Sequence, residues 1–424
     1  MLKRIGTYFG IEVVNKLSAV LVLPIITGLL SVSDFGIYSL FMPITLGIVI
    51  LSSLGLAPTY SRYLFDPEID NNSLISTFGI ITFISVFIIS IFSTVFLCLF
   101  RSKISLVVAA SLILFSVITG LIGYAKSYFV VHEKSKEYVK YLIIQTLVWI
   151  TCIVLLKTLN VSKLNAIIGV LVFSNVVGFI VAYRDLKGFV SFSLRLDMGI
   201  VKNTNAYRKQ MFSSSVFSYV YQNADRFVVA SLLSFESLGI YSLALAVSSI
   251  VRSSGSAVEN AFMPKVFNLL DIRDFEKIRL TFRKIEIFGV LLVAIFVLAL
   301  KFLWEYFFSS EYSLASVLSA YLAFAFYFET ITLLKTNFFT FYKRPELLLR
   351  LEIAFGIVQL LSYILVLSYF GLSKLVMMIF VLSILKLLMF NYVISRNLFI
   401  NVFYRSEFIA IGFALVFIFT NMLF

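Results

Sequence analysis

Continuous apolar runs separated by short polar segments make up most of the chain. A helix needs about 20 mainly apolar residues to cross about 30 Å of hydrocarbon. Twelve runs meet this need: residues 9–30, 36–57, 74–99, 104–125, 139–156, 164–183, 212–233, 238–263, 285–302, 314–334, 348–370 and 372–394. Strands of a membrane barrel alternate over about 10 residues. The pattern therefore predicts an all-α polytopic membrane protein with twelve core transmembrane helices.

The last apolar run, residues 408–424, carries no charge. It is just long enough to span the membrane and could equally lie in the interface, so a thirteenth helix is left open. Composition supports the membrane interpretation. Hydrophobic residues make up 61% of the chain and charged residues 13%, whereas a soluble domain is roughly one quarter charged.

Basic residues predict the orientation, because lysine and arginine near helix ends stay on the cytoplasmic side. With a cytoplasmic N-terminus, 25 of the 35 Lys and Arg fall in cytoplasmic segments and six in external ones. We expect a multi-pass membrane protein with its N-terminus in the cytoplasm. The net charge of +13 then reflects topology and contact with anionic lipid. The basic loops lack the clustering of a nucleic-acid site.

An internal repeat predicts the domain organisation. Residues 29–40 (LLSVSDFGIYSL) and 232–243 (LLSFESLGIYSL) are identical at eight of twelve positions, at an offset of 203. An offset of six spans makes the halves parallel repeats. The predicted division is a six-helix bundle at 1–200, a second at 201–404, and an extra hydrophobic segment at 405–424. Chance similarity between two apolar hairpins is the alternative.

Ionisable groups inside spans are candidates for function, since each costs about 2.5 to 3.5 kcal/mol at the bilayer centre on insertion scales. They occur on the first, seventh and eighth predicted spans, together with polar partners at helical spacing. The candidates are Glu12, Asn15, Lys16, Gln222, Asp225, Arg226, Arg252 and Glu259.

A structural alternative stands beside each of these candidates, because neighbouring opposite charges can pair within one helix. Asp225 could neutralise Arg226, Glu259 could neutralise Arg252, and Glu12 could neutralise Lys16. Outside this set, we expect Lys386 to extend to the interface. We expect Glu329 and Glu352 to be solvated near the cytoplasmic edge.

The sequence gives little evidence of an enzyme active site. The chain contains no phosphate-binding loop of the GxxxxGK[ST] type. His132 is the single histidine, so we expect a solvated residue and no metal centre. The carboxylates of residues 66–70 (DPEID) are typical of a hydrated turn. We expect no catalytic residue, no cofactor and no enzyme activity.

The chain resembles the polysaccharide-unit flippases (Wzx-type O-antigen translocases) of the multidrug, oligosaccharidyl-lipid and polysaccharide exporter superfamily. The resemblance covers most of the chain and depends on the order and spacing of short motifs. These are residues 30–39 (LSVSDFGIYS), 54–56 (LGL) followed by 62–63 (RY), and 225–227 (DRF) followed by 239–241 (GIY). The extra C-terminal segment departs from the usual even span count.

The resemblance implies movement of an undecaprenyl-diphosphate-linked oligosaccharide from the inner to the outer leaflet of the bacterial cytoplasmic (inner) membrane, for O-antigen, lipopolysaccharide or capsule synthesis. It implies alternating access driven by an ion gradient. The implied partners are the lipid-linked oligosaccharide, membrane lipid, and a polysaccharide polymerase with its chain-length machinery, with no nucleic acid.

Site roles follow as a hypothesis from this resemblance. Arg226 and Arg252, with Lys16, would attract the diphosphate, because arginine suits bidentate phosphate contact. Gln222 and Asn15 would hydrogen-bond sugars. The candidates for ion coupling are Asp225, Glu259 and Glu12.

Two alternatives stay open. A drug or cation antiporter on the same scaffold should have a net acidic site, and the charges within the predicted spans are mixed. A membrane scaffold without transport predicts that the polar stripes only pair across helices.

Overall fold

A computed structural model describes residues 18–63, 69–100, 106–132, 134–187, 196–342, 344–398 and 405–422. In these segments the regular structure is α-helix, with one short 3₁₀ turn and no strand. The helices are α1 (Ser18–Leu29), α2 (Val32–Ser53), α3 (Leu56–Tyr63), α4 (Asn71–Phe100), α5 (Leu106–Val131), α6 (Ser135–Thr158), α7 (Leu164–Lys187), α8 (Met198–Asn203), α9 (Asn205–Leu232), α10 (Phe235–Asp271), α11 (Phe275–Phe307), α12 (Ser313–Phe341), α13 (Pro345–Leu398) and α14 (Arg405–Met422).

The predicted all-helical membrane fold is confirmed. Eight helices in the described segments are long and apolar enough to cross a membrane, and three shorter apolar helices accompany them. Each predicted run coincides with a helix over its described part; residues 9–17 of the first run and 104–105 of the fourth lie outside the described residues. The helix α9 is long enough to span but is too polar to be one of the eight.

Gly371 divides α13 into two helical arms, which correspond to the eleventh and twelfth predicted spans. Its φ of 76° lies in the left-handed region that favours glycine. Nζ of Lys386 lies 2.8 Å from Oε2 of Glu352, 34 positions away. In a straight helix these residues would be about 51 Å apart. The chain therefore reverses at Gly371 and forms two antiparallel arms.

The chain forms two compact units, Met1–Ala224 and Asp225–Phe424. In the first unit, one core cluster gathers around Phe78 and Phe129, and another gathers around Phe41 and Phe115. In the second unit, α12 is the most buried helix and packs against α10, α11 and α13. The predicted boundaries at 200/201 and 404/405 stay predictions.

The repeated sequence has the same local geometry in both copies. Oγ of Ser31 accepts a 3.1 Å hydrogen bond from the backbone N–H of Asp34 at the start of α2. Oγ of Ser234 accepts one of 3.2 Å from the N–H of Ser237 at the start of α10. Both serines satisfy an N–H that the first helical turn would leave unpaired. The sequence repeat thus encodes a repeated helix start.

Candidate functional site

The helix α9 carries the predicted seventh-span residues, and its surroundings differ from those of the other long helices. Every residue of α9 is described, and only Val229 is buried. Serine, tyrosine, glutamine, asparagine, aspartate and arginine side chains occupy much of its length. A long helix this polar cannot present its whole surface to lipid, because unpaired polar groups in hydrocarbon cost several kcal/mol. The helix is therefore suited to lining a polar path.

Within the first unit, α9 packs closely against α2. The hydroxyl of Tyr219 donates a 2.8 Å hydrogen bond to the backbone carbonyl of Pro43. A β-carbon added at Gly47 would lie 2.5 Å from that hydroxyl oxygen. Further along the chain, Gly55 has a φ of 74°. Because it has no β-carbon, it leaves room for the backbone carbonyl of Arg208. The two glycines let α9 lie directly over α2.

Asp225, at the start of the second unit, is held by a buried tyrosine. The hydroxyl of Tyr241 donates a 2.6 Å hydrogen bond to Oδ2 of Asp225. Oδ1 of the same carboxylate accepts a 2.8 Å bond from the backbone N–H of Arg226. Tyr241 belongs to the repeated GIYS sequence and is fully buried in α10. Both carboxylate oxygens therefore have defined donors other than a guanidinium group.

Arg226 is half-buried on α9. Among the described carboxylates, none lies within ion-pair distance of its guanidinium group. The alternative in which the side chain of Asp225 neutralises Arg226 is therefore not the arrangement in the structure. Because arginine stays protonated in proteins, Arg226 contributes a permanent positive charge to α9.

Arg252 makes a cross-helix ion pair. Its guanidinium group lies 2.8 Å from Oε2 of Glu329 on α12 and 4.6 Å from the ring centroid of Phe326. The side chain is 44% exposed, so this pair is not a dry contact. Glu329, which we expected to be solvated at the interface, is instead paired with Arg252. The side chain of Glu259, the expected partner, lies outside the described residues.

The other predicted residues are only partly described. Gln222 is exposed, and its Nε2 donates a 2.9 Å bond to Oγ of Ser218. Glu12, Asn15 and Lys16 lie outside the described residues. Gln222 lies near the end of the first unit, and Asp225 and Arg226 begin the second. The roles of all eight candidates stay predictions.

Two charged residues in α13 form an ion pair that was not expected. Lys386 is 9% exposed and pairs with Glu352 at 2.8 Å, and its extension to the interface stays a prediction. Its ammonium group also lies 5.5 Å from the ring centroid of Phe355. Glu352, expected to be solvated, is therefore part of an ion pair between the two arms of α13. The physical reason is the reversal at Gly371, which places these residues side by side.

The second unit contains a buried polar cluster that was not predicted from the sequence. Nζ of Lys335 donates to Oδ1 of Asn391 at 2.6 Å and to the carboxylate of Glu407. The side chains of Lys335 and Glu407 are 0% and 1% exposed. Glu286 on α11 belongs to the same cluster. Each charged member lies at the edge of a predicted apolar run, and none was among the candidates predicted from the sequence.

The first unit contains a chain of uncharged polar contacts between helices, in addition to an exposed ion pair between Lys140 and Asp185. Nε2 of Gln145 donates to Oδ1 of Asn175 at 2.9 Å, and Nδ2 of Asn175 donates to Oγ1 of Thr119 at 2.8 Å. A β-carbon at Gly178 would lie only 3.0 Å from Oε1 of Gln145. These uncharged groups join α5, α6 and α7 and account for the packing of those helices.

His132 is packed rather than solvated as expected. Its ring centroid lies 4.2 Å from that of Tyr128. Partial burial, assisted by the positive charge of Lys134, lowers the pKa of His132, which favours the neutral imidazole at pH 7. Among the described residues no group of three His, Cys, Asp or Glu side chains could hold a metal ion.

Comparison with known proteins places the chain in a family. The sequence profile of the family described as polysaccharide biosynthesis protein matches residues 1–266 of 424. The chain belongs to this family. None of the curated proteins matches it.

Solved structures share the fold at low sequence identity. An inward-facing MATE multidrug resistance transporter of the MOP superfamily has a TM-score of 0.63 at 14% identity, covering 91% of this chain and 98% of its own. The lipid II flippase MurJ, in an inward closed conformation, has a TM-score of 0.64 at 13% identity, covering 99% of this chain and 98% of its own. The chain therefore has the same fold as this transporter and this flippase.

Proposed function

We propose that this family member flips an undecaprenyl-diphosphate-linked oligosaccharide from the inner to the outer leaflet of the bacterial cytoplasmic membrane. The product would supply O-antigen, lipopolysaccharide or capsule synthesis. Membership of a polysaccharide biosynthesis family supports the sugar component. The fold shared with a protein named as a lipid II flippase supports a lipid-linked substrate. The proposal includes an N-terminus in the cytoplasm.

One observation carries the proposal: Arg226 is half-buried and has no ion pair with a described carboxylate. A diphosphate and its hydrophilic sugars cannot cross hydrocarbon unaided, so a carrier must offer a polar and cationic environment. Arg226 is half-buried on the most polar long helix, and no described carboxylate neutralises it. A guanidinium group donates two parallel hydrogen bonds to a phosphate group. The diphosphate would be the negatively charged partner that no described carboxylate provides for Arg226.

Tyr241 supports this role of Arg226 by holding Asp225. The carboxylate of Asp225 is engaged by the tyrosine hydroxyl and by a backbone N–H. Its side chain is thereby directed away from a competing ion pair with Arg226. Gln222, exposed one turn before on the same helix, is placed to hydrogen-bond sugar hydroxyl groups.

Arg252 would contribute through exchange of partners. Its ion pair with Glu329 is partly exposed, and a pair of this kind is worth little, about 0 to 1 kcal/mol. A phosphate group could therefore replace Glu329 without a large cost. Lys16 and Asn15 complete the proposed binding set. Asp225, Glu259 and Glu12 remain the proposed groups for coupling to an ion gradient.

A drug or cation antiporter is the second candidate, since the multidrug transporter and the lipid II flippase match the fold about equally well. The positive charge of Arg226 opposes a cationic substrate. The test is to delete the gene and locate the lipid-linked sugar units. Accumulation on the cytoplasmic leaflet supports flipping, whereas normal export together with new drug sensitivity supports the antiporter.

A further inference from the structure

The ion pair between Arg252 and Glu329 joins α10 to α12 in a position that solvent reaches. Nη2 of Arg252 donates a 2.8 Å hydrogen bond to Oε2 of Glu329, and a guanidinium group has several further N–H donors. The side chains of Arg252 and Glu329 are 44% and 23% exposed. Part of the guanidinium group is therefore accessible to an anion while Glu329 is still in place.

Phe326 attracts the same guanidinium group independently of Glu329. Its ring centroid lies 4.6 Å from Cζ of Arg252, and the residue is buried in α12. A cation within about 6 Å of an aromatic ring centroid is attracted to the face of the ring. Arg252 therefore stays beside α12 when its anionic partner changes.

Two packing contacts fix α10 against α12 on either side of this ion pair. One turn before Arg252, Oγ of Ser248 donates a 2.9 Å hydrogen bond to the backbone carbonyl of Ser319. About one turn after Arg252, Gly255 packs against Thr330 and leaves no space for a β-carbon. The two helices cannot easily separate between these contacts, so an exchange of partners at Arg252 needs only side-chain movement.

We propose that Glu329 is a release residue, which competes with the diphosphate for Arg252 and displaces the product after each transfer. The inference deepens the proposed function and rests on it. Glu329 makes no ion pair with any other described side chain, so the return of Arg252 restores its neutralising partner. Because the carboxylate is tethered beside its target, it competes at a high effective concentration. Glu329 acts through Arg252 and is therefore a positioning residue.

Competition of this kind limits the affinity for the diphosphate and promotes its release. An exposed ion pair is weak, so either anion can displace the other from Arg252. Without the carboxylate, the diphosphate should bind more tightly and dissociate more slowly, because differences in affinity lie mainly in the dissociation rate. A glutamate that only supported the packing of α10 and α12 would have the opposite effect, since its loss would disorder Arg252 and weaken binding.

Replacing Glu329 with glutamine tests the release role in the purified full-length protein. Binding of undecaprenyl diphosphate in lipid nanodiscs gives the Kd, and flipping of the diphosphate-linked oligosaccharide in vesicles gives the turnover rate. We expect Glu329→Gln to lower the Kd by about fivefold, the upper range for an exposed pair, and to slow flipping at saturating substrate. The matched control Asp185→Asn, which removes the carboxylate of an exposed ion pair in the first unit, should leave both unchanged. Unchanged or weaker binding by Glu329→Gln would overturn the proposal.

The double variant Arg252→Ala, Glu329→Gln shows whether Glu329 acts through Arg252. In the absence of Arg252, glutamine at position 329 should no longer tighten binding, and tightening of the same size would overturn the proposal. Should Glu329→Gln fail to fold, Glu329→Asp provides the test, because its shorter side chain weakens the pair. Tighter binding is then expected, and wild-type affinity would refute the release role. Failure of the wild-type protein to bind undecaprenyl diphosphate would instead contradict the proposed function, on which the inference rests.

Discussion

Tyr241 donates its hydroxyl hydrogen to Oδ2 of Asp225 at 2.6 Å and thereby separates two neighbouring opposite charges on α9. The tyrosine is fully buried, so its position is fixed by the packing of α10. Without that donor, Asp225 would be available to Arg226, the residue next to it. A residue of the repeated GIYS sequence thus maintains the positive charge on which the proposed binding of diphosphate depends.

Replacing Tyr241 with phenylalanine should weaken transport by freeing Asp225 to neutralise Arg226. The loss of a hydrogen bond to a charged group also costs about 1.5 to 3 kcal/mol of stability. Transport should fall about tenfold or more in reconstituted vesicles. The double variant Tyr241→Phe, Asp225→Asn should recover binding of the diphosphate-linked substrate, a readout that does not depend on the proposed ion-coupling role of Asp225. Wild-type transport in Tyr241→Phe would contradict the separation of charges.

Replacing Gly47 with alanine should disturb the packing of α9 on α2. The added β-carbon would lie 2.5 Å from the hydroxyl oxygen of Tyr219, and overpacking of this kind costs about 1 to 3 kcal/mol. Thermal unfolding in detergent should show a lower Tm. Combining Gly47→Ala with Tyr219→Ala should restore most of the lost thermal stability. Gly28→Ala is the control, because nothing lies within 4 Å of its added β-carbon.

Replacing Gly371 with alanine should destabilise the reversal within α13. Its φ of 76° costs a residue with a β-carbon about 1 to 2 kcal/mol, although no atom lies within 4 Å of that carbon. The strain therefore arises within the backbone of residue 371 and not from contact with neighbouring residues. Lower thermal stability than in Gly412→Ala, a helical glycine with equally open surroundings, is the expected result. Equal stability of the two variants would show that the reversal tolerates alanine.

Asp70 should make the start of α4 sensitive to acid. Its Oδ2 accepts a 2.8 Å hydrogen bond from the backbone N–H of Ser73, and this bond lowers the pKa of Asp70. A lowered pKa in the folded state gives stability above the ordinary pKa of about 3.9, which is lost as the pH falls through the folded pKa. In Asp70→Asn the cap should persist without this acid dependence. Hydrogen exchange at the Ser73 amide, compared between the two proteins below pH 4, checks the prediction.

The helices were predictable from sequence because each apolar run is a local property. The same is true of the polar face of α9, where Gln222 and Arg226 follow helical spacing. Partners between helices were not predictable. Arg252 pairs with Glu329, 77 positions away, which no spacing rule within one helix reveals.

The buried cluster was missed for a related reason. Lys335 directly follows the predicted tenth span, and Glu407 directly precedes the last apolar run. Neither residue was among the candidates predicted from the sequence. In the structure α12 continues to Phe341 and α14 begins at Arg405, so the charges are enclosed. Their burial depends on tertiary packing that the apolar pattern alone does not encode.

The role of Arg226 in diphosphate binding is most directly tested by flipping of an undecaprenyl-diphosphate-linked oligosaccharide in vesicles containing purified protein. We predict that Arg226→Ala abolishes flipping while its Tm stays near that of the wild type. Arg226→Lys should retain a small part of the activity, because lysine lacks bidentate contact. Lys209→Ala, which removes an exposed cation from the same helix, should flip normally. Wild-type flipping by Arg226→Ala would contradict the account.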